Sequence, residues 1–99
     1  MKQLKNKVAL ITGAGSGMGQ THAKVFAERG AVVVINDLNK DGLEETGRIV
    51  REAGGQAVEC LGDITKLDFV KAMIDDAVSQ VGGVSILVNN AGIGEHCEL

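Results

Sequence analysis

Short apolar runs and longer segments of helical periodicity alternate along this chain. Runs rich in Val and Ile without polar alternation are strands covered on both faces, whereas apolar residues recurring every three or four positions mark amphipathic helices. That rule predicts strands over 7–12, 31–37, 56–61 and 84–88, and helices over 17–29, 40–53 and 66–81. The element order is β-α-β-α-β-α-β. Such alternation builds a parallel sheet with crossover helices, and right-handed crossovers set the strands in the order 3-2-1-4.

The same spacing predicts which helix faces turn inward. In the first helix Met18, His22, Val25 and Phe26 share a stripe, and Gly30 stops the helix. In the second, Leu43, Gly47 and Val50 line up ahead of Gly54 and Gly55. The third is the most clearly amphipathic. Leu67, Val70, Met73, Ile74, Ala77 and Val81 are expected inside, Lys66, Lys71, Asp75 and Asp76 outside, and Thr65 at the N-cap. Met18, Phe69 and Met73 read as core or near-core residues, because soft apolar side chains at helical spacing pack without a ligand. His22 reads as a partly buried packing residue.

Composition narrows the class without naming the chemistry. With 99 residues, 44% of them hydrophobic, 14 Gly and no Pro, the chain is expected to be one small soluble α/β domain or part of one. A net charge of −3 without clustered Lys and Arg excludes a nucleic-acid partner. The apolar run after the basic N-terminal residues is too short for a signal core or a membrane span, so the expected address is cytoplasmic. Cys60 and Cys97 are widely separated and form neither a disulfide framework nor a zinc motif. Cys60 reads as a buried strand residue. Adjacent residues such as Glu95, His96, Cys97 and Glu98 make a poor metal set without further ligands.

The turn from the first strand into the first helix carries the chemistry. It reads Thr12-Gly13-Ala14-Gly15-Ser16-Gly17-Met18-Gly19. Gly13 opens the turn, Gly17 lets a pyrophosphate approach the backbone, and Gly19 lets the helix pack close to the sheet. Free amides at the helix start attract the anion. Asp37, 24 positions past Gly13, ends the second strand where a ribose acceptor is expected. A carboxylate accepts from both ribose hydroxyls of NAD and repels the extra phosphate of NADP. Neither Ser16 nor Leu38 supplies the cation that phosphate would need, so NAD is the preferred cofactor.

Other readings of these residues stand beside that one. No Lys precedes Gln20-Thr21, so the loop is not of Walker type. An S-adenosylmethionine-dependent methyltransferase would use Gly13, Gly15, Gly17, Asp37 and Asp63, but would usually carry an acid where Thr12 stands. Asp37 also reads as a charge at the start of the second helix, worth about 0.3 to 1 kcal/mol. Asp63 reads equally as a turn or capping acid, and Asn89 and Asn90 as ties between strand ends.

Taken together, Thr12-Gly13-x-x-x-Gly17-x-Gly19, Asp37, Asp63-Ile64 and Asn89-Asn90-Ala91-Gly92 resemble the classical short-chain dehydrogenase/reductase family in order and spacing. The resemblance covers all but residues 95–99. It implies a Rossmann-type doubly wound parallel α/β sheet, truncated to four strands in the order 3-2-1-4. It divides the chain into an incomplete NAD(P)-binding domain over 1–94 and a short tail over 95–99. By the same resemblance Gly13, Ser16, Gly17, Met18 and Gly19 hold the pyrophosphate, Met18 through its backbone amide. Asp37 holds the adenosine ribose with Leu38 beside it at the cofactor, Asp63 and Ile64 frame the adenine, and Asn90, Ala91 and Gly92 line the ribose on the nicotinamide side.

The family's hydride transfer between alcohol and carbonyl uses a Tyr-x-x-x-Lys pair with a Ser and an Asn. This chain contains no Tyr and stops at Leu99, so no catalytic residue is expected in it. The expected role is the cofactor half of an NAD(P)-dependent oxidoreductase, inactive alone. A non-catalytic dinucleotide-binding module is the alternative, and a methyltransferase fragment a distant third. Two helices on one face and one on the other leave the fourth strand as an edge carrying Ile86, Leu87 and Val88. Marginal stability or self-association through that edge is therefore expected.

Overall fold

The computed structural model describes residues 3–90, so Ala91, Gly92 and the expected tail over 95–99 lie outside the described residues. The elements are β1 (Val8–Thr12), α1 (Gly17–Glu28), β2 (Val32–Asp37), α2 (Lys40–Glu52), β3 (Gln56–Leu61), α3 (Leu67–Val81) and β4 (Ile86–Asn89). All four strands are parallel, in the order β3-β2-β1-β4. The α/β architecture and the strand order read from the sequence are the ones observed. In register, Thr12 lies opposite Asn36 on one side and Asn89 on the other, and Asp37 lies opposite Leu61. The polar residues are thus gathered at the carboxyl ends of the strands.

Alternation along the strands divides the core in two. Ala9, Ile11, Val33 and Ile35 point to the face covered by α1 and α2, where they pack with Ala23, Ala27, Leu43 and Val50. Val8, Leu10 and Val34 point to the other face and pack with Met73 and Ala77 of α3. The second helix buries the stripe expected of it, Leu43, Gly47 and Val50, and adds Thr46. His22 is half-buried, as expected.

The first and third helices differ from expectation in the face they bury. α1 buries its small residues Gly19, Ala23 and Ala27, with Phe26 partly covered, while Met18 is 61% exposed and Val25 is exposed. Small side chains let the helix lie close to the strands, and a Cβ on Gly19 would strike the Gly13 carbonyl. The larger residues are displaced to the flank by that close approach.

In α3 only Met73 and Ala77 are buried, with Phe69 and Val81 packed against them, and Leu67 and Ile74 are exposed. Leu67 and Ile74 sit about 100 to 120° around the helix from Met73, outside the narrow stripe that one helix presents to a sheet. The α3 N-cap is Lys66 rather than Thr65. Thr65 is instead occupied in a turn with Asp63. Cys60 is half-buried rather than buried, because β3 is an edge strand, and its burial together with nearby Asp76 pushes the thiol pKa up.

Candidate functional site

The glycine-rich turn between β1 and α1 is fastened at its start and open at its end. The Ala14 amide donates to the Asn36 carbonyl at 2.9 Å, and the Gly15 amide donates to Asp37 Oδ2 at 2.8 Å. Two side chains hold the carbonyls. The Thr46 hydroxyl, fully buried, donates to Ala14 O at 2.6 Å and lies 3.0 Å from Gly42 O. Gln20 Nε2 donates to Gly15 O at 3.2 Å. α2 presses close here, since a Cβ on Gly42 would strike Gly15 O.

Past Gly15 the turn opens to solvent. Ser16, Gly17 and Met18 are exposed, and Ser16 occupies the α1 N-cap without a side-chain capping bond. The first amides of a helix have no intrahelical acceptor, so those of Gly17 and Met18 are presented outward at the positive end of the helix. Gly17 has φ +52, and nothing lies within 4 Å of the point where a Cβ would stand, so the backbone itself forms the surface.

Asp37 is tied to the turn and to the loop before α2. Its Oδ1 accepts from the Asn39 amide at 2.8 Å while Oδ2 accepts from Gly15. Its own carbonyl accepts from the Gly62 amide at 3.1 Å. Asn39 caps α2, accepting from the Gly42 amide at 3.1 Å. Leu38, next to Asp37, is exposed. The buried Asn36 ties β2 to the end of β3, donating from Nδ2 to Cys60 O at 2.9 Å and Gly62 O at 3.1 Å.

Asp63 and Ile64 are half-buried just past β3. Asp63 Oδ1 accepts from the Thr65 amide at 2.9 Å and from its hydroxyl at 2.7 Å, and these bonds hold the carboxyl below its ordinary pKa of 3.8. At the end of β4, the Thr12 hydroxyl donates to Asn89 Oδ1 at 2.7 Å, and the Asn90 amide donates to Thr12 O at 3.2 Å. Asn90 Nδ2 is buried with no protein partner among the described residues.

The residues read from sequence as a site therefore converge on one end of the sheet. Gly13, Ser16, Gly17, Met18, Gly19, Asp37 and Leu38 surround the β1 and β2 ends, Asp63 and Ile64 follow β3, and Asn90 follows β4. Ala91 and Gly92 lie outside the described residues. Sequence reasoning missed Gln20, Asn36, Asn39 and Thr46, which shape the turn through bonds to backbone atoms, and gave Gly15 a role only in the methyltransferase reading. Only Asn39 has a readable signal: an Asn directly before a helix start is a cap. No helix among the described residues is long and apolar enough to cross a membrane.

A family model described as short chain dehydrogenase matches residues 7–99, and the chain belongs to that family. It is 46% identical over 92 residues to a 7alpha-hydroxysteroid dehydrogenase of Escherichia coli strain K12, covering 93% of this chain and 36% of the relative. A short-chain dehydrogenase/reductase homolog of Bacillus subtilis is 42% identical, covering 92% of this chain and 84% of that protein.

Among solved structures, a 7alpha-hydroxysteroid dehydrogenase complexed with NADH and 7-oxo glycochenodeoxycholic acid superposes with a TM-score of 0.87 at 46% identity. That match covers 91% of this chain and 35% of the other. The chain thus spans about a third of the length of the dehydrogenases it matches. The fold is the Rossmann-like parallel sheet of NAD(P)-dependent oxidoreductases, and family membership sets the methyltransferase reading aside.

Proposed function

We propose that these residues form the NAD-binding unit of an oxidoreductase that moves hydride between an alcohol and a carbonyl. The observation that carries this reading is the start of α1 at Gly17 and Met18, without a side-chain cap, together with the carboxylate of Asp37 held by the Gly15 amide, at the carboxyl ends of adjacent parallel strands. A dinucleotide suits it. The pyrophosphate meets the uncapped helix start, close to backbone because Gly17 carries no side chain. Each Asp37 oxygen already accepts one amide and keeps a lone pair for a ribose hydroxyl. Leu38 and Ile64 offer apolar walls and Asp63 a polar edge for the adenine. Asn90, whose Nδ2 has no protein partner among the described residues, is assigned to the nicotinamide-side ribose, as are Ala91 and Gly92.

When bound, NAD supplies the hydride acceptor; the residues of this chain bind and orient it. Asp37 favours NAD over NADP, because a 2'-phosphate would sit against a carboxylate with no Arg or Lys at Ser16 or Leu38 to offset it. No residue here is assigned a proton-transfer role. The alternative is a dinucleotide-binding module without turnover.

Calorimetric titration of the chain with NAD and with NADP tests the proposal. NAD should bind at least about tenfold more tightly, a difference of roughly 1.4 kcal/mol or more. Absence of NAD binding to a folded chain would overturn it. Hydride transfer from an alcohol, followed by NADH absorbance, would decide against the module.

A further inference from the structure

We infer that Gly15, a residue that need not touch the cofactor's phosphates, sets cofactor preference by holding the Asp37 carboxylate in place. The inference rests on the NAD-binding reading above and concerns how the selecting acid is positioned. Asp37 is not a free side chain at a strand end. Oδ2 accepts the Gly15 amide at 2.8 Å and Oδ1 accepts the Asn39 amide at 2.8 Å, so the carboxylate bridges the glycine-rich turn and the start of α2. Two backbone donors on opposite oxygens fix both the position and the plane of the group.

Gly15 is required on steric grounds as well as for its amide. A Cβ at this position would lie 2.8 Å from both Cγ and Oδ2 of Asp37 and 3.2 Å from its Cβ. Any other residue therefore pushes the carboxylate off the amide that anchors it. Backbone adjustment of the turn is the alternative relief, and it is restrained. The Ala14 amide is held by Asn36 O, Ala14 O by the Thr46 hydroxyl, and Gly15 O by Gln20 Nε2. The side chain of Asp37 is what yields.

A displaced carboxylate loses its aim at the two ribose hydroxyls and its closeness to where a 2'-phosphate would sit. Affinity for NAD falls and the penalty on NADP relaxes. Gly15 is thus a positioning residue for selectivity, distinct from Gly17, whose added Cβ meets nothing within 4 Å and whose positive φ governs only the backbone surface.

The test compares Gly15→Ala and Gly17→Ala, reading dissociation constants for NAD and NADP by calorimetry together with thermal midpoints. In Gly15→Ala the ratio of NADP to NAD dissociation constants should fall about tenfold, the scale of losing one charge-assisted hydrogen bond. In Gly17→Ala both cofactors should weaken together, leaving the ratio within about twofold of the parent. A parent-like ratio in folded Gly15→Ala overturns the inference while leaving the NAD-binding reading intact. Failure of the parent chain to bind either dinucleotide overturns both.

Should Gly15→Ala not fold, hydrogen exchange of the Gly15 amide decides. It should be protected in the parent and lose about tenfold or more of that protection in Asp37→Ala. Unchanged protection would overturn the inference.

Discussion

The two faces of the sheet are built to different standards. Against α1 and α2, Ala9, Ile11, Val33, Ile35 and Val50 reach essentially zero exposure. Against α3, the buried set is smaller, Ile74 and Val78 are exposed, and Leu87 on β4 is 63% exposed. The well-packed face is also the one that shapes the opening at the glycine-rich turn. Thr46, Gly42, Gln20 and Asn39 all belong to α1, α2 or the loop before α2, and each acts on residues 14, 15 or 42. Rigidity is concentrated where a cofactor would need a fixed backbone, and the α3 and β4 side contributes less to that end of the molecule.

Substitutions sharpen this contrast. Leu43→Ala, on the well-packed face, should destabilise the chain by about 3 kcal/mol through lost burial and a residual cavity, measured as a fall in the urea midpoint. Thr46→Val should cost roughly 1 to 3 kcal/mol, because Ala14 O is left buried without its donor. Thr46→Ser should recover most of that loss. Leu87→Ala, by contrast, should stay within about 0.5 kcal/mol of the parent. A Leu87→Ala cost comparable to that of Leu43→Ala would erase the asymmetry.

The smallest expected effect concerns pH. Asp63 is held below its ordinary pKa of 3.8 by the Thr65 hydroxyl first and the Thr65 amide second. A carboxyl with a depressed folded-state pKa contributes stability that is complete above its unfolded value and is lost as pH falls through the folded value. Carboxyl NMR titration should therefore place the Asp63 midpoint below 3.8, and Thr65→Val should move it upward. A midpoint that Thr65→Val leaves in place would remove this turn from the account.

The sequence disclosed the sheet more fully than the packing. Alternating Val-rich runs and helical spacing sufficed for the strand order, since right-handed crossovers leave few arrangements. Period alone does not say how closely a helix approaches a sheet, and so it places Met18 and Val25 inside where Gly19, Ala23 and Ala27 are found. For α3 the apolar arc is wider than the stripe one helix can bury, which leaves Leu67 and Ile74 outside. The candidate site was legible as glycines and acids at strand ends. Its scaffolding was not, because Thr46, Gln20 and Asn36 act on backbone atoms of other segments, and nothing in residue type marks such bonds.

Asp37 shows both sides of this limit. Its place at the end of β2 pointed to ribose, and its position as a bridge between Gly15 and Asn39 emerges only in three dimensions. Its plainer reading, a charge at the start of α2, is also present in the Asn39 contact.

The most direct test is an amide chemical-shift map of the isotope-labelled chain during titration with NAD. The expected result is a set of perturbations at Ser16, Gly17, Met18, Leu38 and Ile64, with Gly30, Gly54 and Gly55 at the opposite end of the sheet unmoved. Perturbations centred on Gly30, Gly54 and Gly55, or on α3, would contradict a dinucleotide site at the β1 and β2 carboxyl ends.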